Sequence, residues 1–140
     1  MMGPTSSSPF DYGARAMSAQ LVRLNTIASN IANASTIAGS EQTAYRALRP
    51  VFQTAYADAE RAAGQATVDA VSIAPSTRPI PRQLRPDNPL ADAQGYVYLS
   101  NVDVSEELVD MVETARQYQN TTEALNTLKS LTLATLRLGA

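Results

Sequence analysis

The chain has 140 residues, enough for one domain, yet only 17% are charged and 6% aromatic, with no Trp, so its core should be thin. The net charge of −2 gives no support to general nucleic-acid or membrane-surface binding. There is no Cys and no His, which excludes disulfides and thiolate chemistry and removes the commonest general acid–base group and metal ligand.

Residues 1–9 read as a disordered arm of Gly, Pro, Ser and Thr with no basic start and no apolar run. Nothing there resembles a cleavable secretory signal. Ser8 followed by Pro9 is a helix start, because Pro suits the first helical position. A helix follows from about Phe10 to about Ala34, within a segment 10–36. Phe10, Ala14, Met17, Leu21, Leu24, Ala28 and Ile31 recur at alternating steps of four and three, which keeps one narrow seam on one side of the helix. Asn30 and Asn33 fall where this helix should fray.

Residues 37–100 read as an irregular, β-containing portion. Thr43 to Gln53 is dense in strand formers, with Pro50 confining it to an edge. Thr67 to Ile73 is a second weak strand, and Ala57 to Ala66 between them is uncommitted. Pro75, Pro79, Pro81, Pro86 and Pro89 exclude helix from 75–89 and leave extended or polyproline-like backbone. Gly95 marks a turn, and Tyr96 to Leu99 forms a short last strand.

The segment 101–140 holds a second helix. Asp103 followed by Glu106 fits a capping box, and Glu107, Asp110 and Glu113 crowd the same end, where the helix dipole favours negative charge. Val104, Leu108, Met111, Ala115, Tyr118, Thr122 and Leu125 form a second seam. Met17, Leu21, Leu24, Ile31, Leu108, Met111, Tyr118 and Leu125 are therefore expected at the helix–helix contact. Beyond Leu125 the seam dissolves, and Leu128, Leu131, Leu133, Leu136 and Leu138 point in several directions. A helix apolar all round must be buried all round. This chain has too little apolar surface to do that, so Leu128, Leu131, Leu133 and Leu136 are expected at contacts between subunits.

Catalytic sites find little support. Glu106, Asp110 and Glu113 lack a partner cluster and read as a solvated helix face. The only Lys, Lys129, adjoins Ser130 on a helix surface. Six scattered Gly make no phosphate loop, and Arg78, Arg82 and Arg85 lack the interleaved aromatics of a single-strand binder. No catalytic, cofactor-binding or metal residue is assigned.

LNTIASNIANAST (24–36) resembles the N-terminal signature of bacterial flagellar rod, hook and related axial proteins, with Ser29, Asn30, Ile31, Ala32, Asn33 and Thr36 in register. YRALRPVF (45–52) resembles the segment that follows it in the rod proteins. NPLADAQGYVYLSNVDVSEELVDMVETARQYQ (88–119) is similar to the proximal-rod members of the flagellar basal-body rod family, through Gly95, Tyr96, Val97, Asn101, Val102, Glu107, Asp110, Met111, Ala115, Arg116 and Tyr118. The chain departs from that pattern at Ser100, Leu108 and Thr121.

The resemblance implies a mainly α fold in which two long terminal helices pair as an antiparallel coiled coil around a small irregular or β middle. It implies a structural subunit of the proximal rod, assembling into a hollow axial tube that transmits torque and passes exported subunits. Asn30, Asn33, Gly95, Tyr96, Asn101 and Val102 are its motif residues. The expected partners are copies of itself, other rod proteins, the export apparatus and the membrane-ring adaptor, with no cofactor, nucleic acid or membrane span. The chain would leave the cytoplasm by type III export, without a cleaved signal, for the periplasm-spanning rod. Isolated, it should be a largely disordered monomer. A small helical adaptor or export chaperone in the cytoplasm is the alternative, distinguished by a soluble, folded dimer.

Overall fold

The first helix, α1 (Pro9–Asn33), begins at a reciprocal cap. The Ser8 hydroxyl accepts from the Phe10 amide at 3.2 Å, and Asp11 Oδ2 accepts from the Ser8 amide at 2.8 Å. Two amides without intrahelical partners are thereby satisfied. At the other end Asn33 donates to the Ser29 carbonyl at 2.8 Å. The computed structural model describes residues 8–55 and 67–139. Of the arm expected over residues 1–9, residues 1–7 lie outside the described residues, whereas Ser8 and Pro9 are ordered as the cap and first position of α1; the segment Ala57 to Ala66 also lies outside the described residues.

Among the described residues five strands follow: β1 (Ile37–Ala38), β2 (Leu48–Ala55), β3 (Thr67–Pro75), β4 (Arg82–Leu84) and β5 (Tyr96–Leu99). β5 lies between β1 and β4 in an antiparallel sheet, with Ile37 opposite Leu99 and Gln83 opposite Val97. Val97, at its centre, is fully buried. β2 and β3 make a separate antiparallel ribbon whose register shifts between Val51 and Phe52. Pro50 is tolerated because this ribbon asks each strand for one ladder only. The proline-rich stretch, expected to be extended, contributes β4. Gly95, at φ +83°, closes the turn into β5, a conformation that L-residues with a Cβ avoid.

The second helix, α2 (Val104–Leu138), starts at Asp103, whose carboxylate accepts from the Ser105 and Glu106 amides at 2.9 and 3.2 Å. Glu106 does not complete a box; it holds Arg78 instead, at 2.7 and 3.2 Å. At ~1.5 Å per residue, 25 and 35 residues make α1 and α2 roughly 37 and 52 Å long. They pack in antiparallel order. Gly13 meets Leu125, Gln20 donates to Gln117 at 2.9 Å, Arg23 lies 3.6 Å from Asp110, and Asn30 donates to Glu107 at 3.1 Å. Gly13 matters because a Cβ there would overlap the Leu125 side chain.

The α1–α2 face differs from the seam read off the large apolar residues. The buried positions of the two helices are Ala19, Thr26, Ile27 and Asn30 on α1, and Glu107 and Thr114 on α2. Met17, Leu24, Ile31, Met111, Tyr118 and Leu125 are half-buried, whereas Leu21 and Leu108 are exposed. Small and polar side chains let the two helices approach and hydrogen-bond to each other through those side chains, and Leu21 and Leu108 lie outside that contact.

Candidate assembly interface

Two buried asparagines bind the middle of the chain to the helix pair. Asn30 is fully buried and treats Leu48 as a neighbouring strand would. Its Oδ1 accepts from the Leu48 amide at 2.7 Å, and its Nδ2 donates to the Leu48 carbonyl at 2.9 Å. Oδ1 also accepts from the Tyr45 hydroxyl at 3.1 Å, so Ser29, 3.2 Å from that hydroxyl, is the donor of their shared bond. Asn101 grips the adjacent residue from the α2 side. Its Oδ1 accepts from the Ala47 amide at 2.6 Å and its Nδ2 donates to the Arg78 carbonyl at 2.9 Å. Residues 45–48 are thus held between the end of α1 and the start of α2.

Glu107 is also fully buried, beneath Asn30. A buried carboxylate needs compensation, and Arg49 supplies it. The guanidinium lies 3.1 Å from Glu107 Oε1, as a charge contact off the line of a hydrogen bond. It also reaches Asp110 at 3.4 Å and Glu106 at 3.9 Å. Arg23 and Arg78 flank the same carboxylates, so the acidic start of α2 is tied to α1, β2 and the proline-rich segment.

The other motif residues organise β5. Asp92 Oδ1 accepts from the amides of Gln94 and Tyr96 at 2.9 and 2.8 Å, and Oδ2 from the Tyr98 hydroxyl at 3.2 Å. The Tyr96 amide chiefly, with Gln94 and Tyr98, holds the Asp92 carboxyl below its usual pKa against the opposing effect of desolvation. The bond to Asp92 raises the Tyr98 hydroxyl in turn. Arg82 stacks over the Tyr96 ring at 4.8 Å from its centre. Val102 is half-buried and donates its amide to the Ser100 hydroxyl at 3.3 Å.

The C-terminal end of α2 is different. With Gly13 opposite Leu125, the helix from about Leu128 onward extends past the start of α1. Leu128 is half-buried, whereas Leu131, Leu133 and Leu136 are exposed, Leu131 by 60% and Leu136 by 65%. Thr127, Ser130, Thr132 and Thr135 each donate back to the carbonyl four residues earlier. Their hydroxyls are satisfied internally, so this end presents a mainly apolar surface. No cluster of potential metal ligands occurs among the described residues, and no helix there is long and apolar enough to cross a membrane.

Sequence reasoning missed Gly13, Arg49, Glu107 and Thr114 as parts of this arrangement. The signal that could have found two of them is a polar heptad, Glu107 and Thr114 seven residues apart.

Comparison with known proteins gives matches at both ends. Residues 10–37 match the family model described as flagella basal body rod protein, and residues 93–138 the one described as flagellar basal body rod FlgEFG protein C-terminal. Proteins described as flagellar basal-body rod protein FlgC are similar along nearly the whole chain. The one from Salmonella typhimurium is 46% identical over 132 residues, covering 93% of this chain and 95% of the relative. That from Yersinia enterocolitica is 45% identical over 130 residues with the same coverage. The one from Aquifex aeolicus is 33% identical over 121 residues, covering 86% and 87%.

Proposed function

The chain belongs to the flagellar basal-body rod protein family, and from that premise we propose that it is a structural subunit of the proximal rod. The observation that carries the assembly role is the α1–α2 pair with an uncovered apolar end. One side of each helix is spent inside the chain, and Leu131, Leu133 and Leu136 remain to be covered by neighbours. In the rod the two helices act as a coiled-coil pair, and neighbouring pairs build a tube around a lumen that passes exported subunits. The β portion and the proline-rich segment lie outside that wall.

The work is mechanical rather than catalytic: torque passes from the membrane ring toward the parts beyond. The partners are copies of the chain, other rod proteins, the ring adaptor and, during delivery, the export apparatus. The arginine–carboxylate contacts suit a part under torque, because they tie the β portion to both helices.

The test is L131D. A charge in the overhang should abolish rod assembly and swimming while leaving export of the chain intact. Normal rods and swimming with L131D would overturn the assigned contact, and complete rods in cells lacking the chain would overturn the function itself.

A further inference from the structure

Asn30 and Asn33 lie one turn apart near the end of α1, yet their amides do opposite things. Asn33 turns back onto its own helix and donates to the Ser29 carbonyl at 2.8 Å. That local bond is open to any Asn on a helix. Asn30 instead reaches away from α1 and takes both backbone groups of Leu48. Beside it stands Glu107 of α2, which accepts from Asn30 Nδ2 at 3.1 Å.

The direction of the Asn30 amide decides whether it can hold a strand. An amide has one accepting and one donating end, and a half-turn exchanges them. A carboxylate only accepts, so Glu107 admits the Nδ2 end and repels Oδ1. With Nδ2 held there, Oδ1 meets the Leu48 amide at 2.7 Å, and the second Nδ2 hydrogen meets the Leu48 carbonyl at 2.9 Å. Among the described residues Asn30 is also the single hydrogen-bond donor to the fully buried Glu107, whose Oε1 has none. Arg49, next in the chain to Leu48, lies 3.1 Å from that Oε1. Leu48 and Arg49 therefore reach α1 and α2 respectively, and the ring Leu48–Asn30–Glu107–Arg49 closes only when both helices are in place.

We propose that Glu107 is a positioning residue that aims the Asn30 amide at β2, so that α1 offers Leu48 a strand-like edge only while α2 is packed against it. Pairing of the helices and docking of the β2–β3 ribbon are then one cooperative event. The coupling is a property of the single chain and does not depend on the rod-subunit reading.

The experiment compares E107M/R49M with E107Q/R49M in the full chain within purified basal bodies, by hydrogen exchange resolved to single amides. Both variants lack the ion pair, so neither leaves a charge buried alone, and only Gln keeps an acceptor for Asn30. The Leu48 amide should exchange roughly tenfold faster in E107M/R49M than in E107Q/R49M, although it bonds to Asn30 and not to residue 107. The Ala47 amide, held separately by Asn101, should differ by less than about threefold. Equal Leu48 rates in the two variants overturn the proposal. So does an equal acceleration of Ala47 and Leu48, which marks a general loosening. Should E107M/R49M fail to enter rods, wild-type basal bodies read the same coupling under added denaturant. Leu48 should lose protection together with the Met111 amide of α2, and an earlier loss at Leu48 overturns the proposal. Recovery of the chain as a soluble dimer and not in rods would overturn the rod-subunit reading, and the same rates in the dimer would then decide the coupling.

Discussion

Replacing Asn30 by Ala removes a side chain whose amide serves four groups at once, the Tyr45 hydroxyl among them. The Leu48 amide loses its 2.7 Å acceptor, the Leu48 carbonyl its 2.9 Å donor, and buried Glu107 its 3.1 Å donor. A buried polar group left unsatisfied costs ~1–3 kcal/mol, so the Leu48 amide and Glu107 together put N30A at about 3 kcal/mol. For a chain of this length that corresponds to a shift of roughly 10 °C in midpoint. The assay is heat-induced release of the chain from purified basal bodies, read by immunoblot. Asp at this position is more instructive. N30D keeps an acceptor for Leu48 but sets a second carboxylate against Glu107, and two carboxylates that close cannot both ionise. Repulsion raises the folded-state pKa of the introduced Asp above its unfolded value. Its penalty is therefore absent below about pH 4 and grows as pH rises through the raised value. N30D should release earlier than N30A at neutral pH and recover on acidification. N30A releasing within about 2 °C of the wild type would refute the reasoning.

Arg49→Ala leaves Glu107 buried without its cation and should cost about 3 kcal/mol; adding E107Q should restore roughly half, as a double-mutant cycle read by denaturant-driven release from purified basal bodies would show. Gly95→Ala forces a Cβ into a left-handed turn, 3.3 Å from Pro86, and should cost ~1–2 kcal/mol, read as faster amide exchange across β4 and β5. The lowered Asp92 pKa makes the turn's stability fully present above 3.8 and lost as pH falls through the depressed value, and the raised Tyr98 pKa makes its share present below 10.0 and lost as pH climbs past the raised value. Exchange of the Gln94 and Tyr96 amides should therefore show protection losses at both extremes, and D92A should abolish the acidic one.

Local signals located the elements well where they were chemically specific. Ser8–Pro9 marks the start of α1 and Asp103 that of α2, because a short polar side chain before a helix has a defined backbone task. Tyr96 to Leu99 reads correctly as a strand because Gly95 supplies the turn before it. β4 was not legible, since prolines mask an extended segment that pairs only through 82–84. The capping role expected of Glu106 was lost to a stronger partner, Arg78, which lies 28 residues away in the sequence and is brought there by the fold. Large apolar residues drew the helix seam toward Leu21 and Leu108, while the two backbones meet through Gly13, Thr114 and a Gln–Gln pair. Apart from the Glu107–Thr114 heptad, such a face is visible only once both helices are in place. Asn30 and Asn101 stand out in the sequence by resemblance alone. Their work cannot be read there, because several of their partners are backbone groups, those of Ala47, Leu48 and Arg78, where residue identity carries no signal.

The central claim is that this chain is built into the rod, and electron cryomicroscopy of purified basal bodies tests it most directly. The account predicts density for α1–α2 pairs in the proximal rod wall around a lumen, with the overhang past Leu128 covered by a neighbouring subunit. A complete rod without this chain, accompanied by a soluble, folded dimer in the cytoplasm, would contradict it.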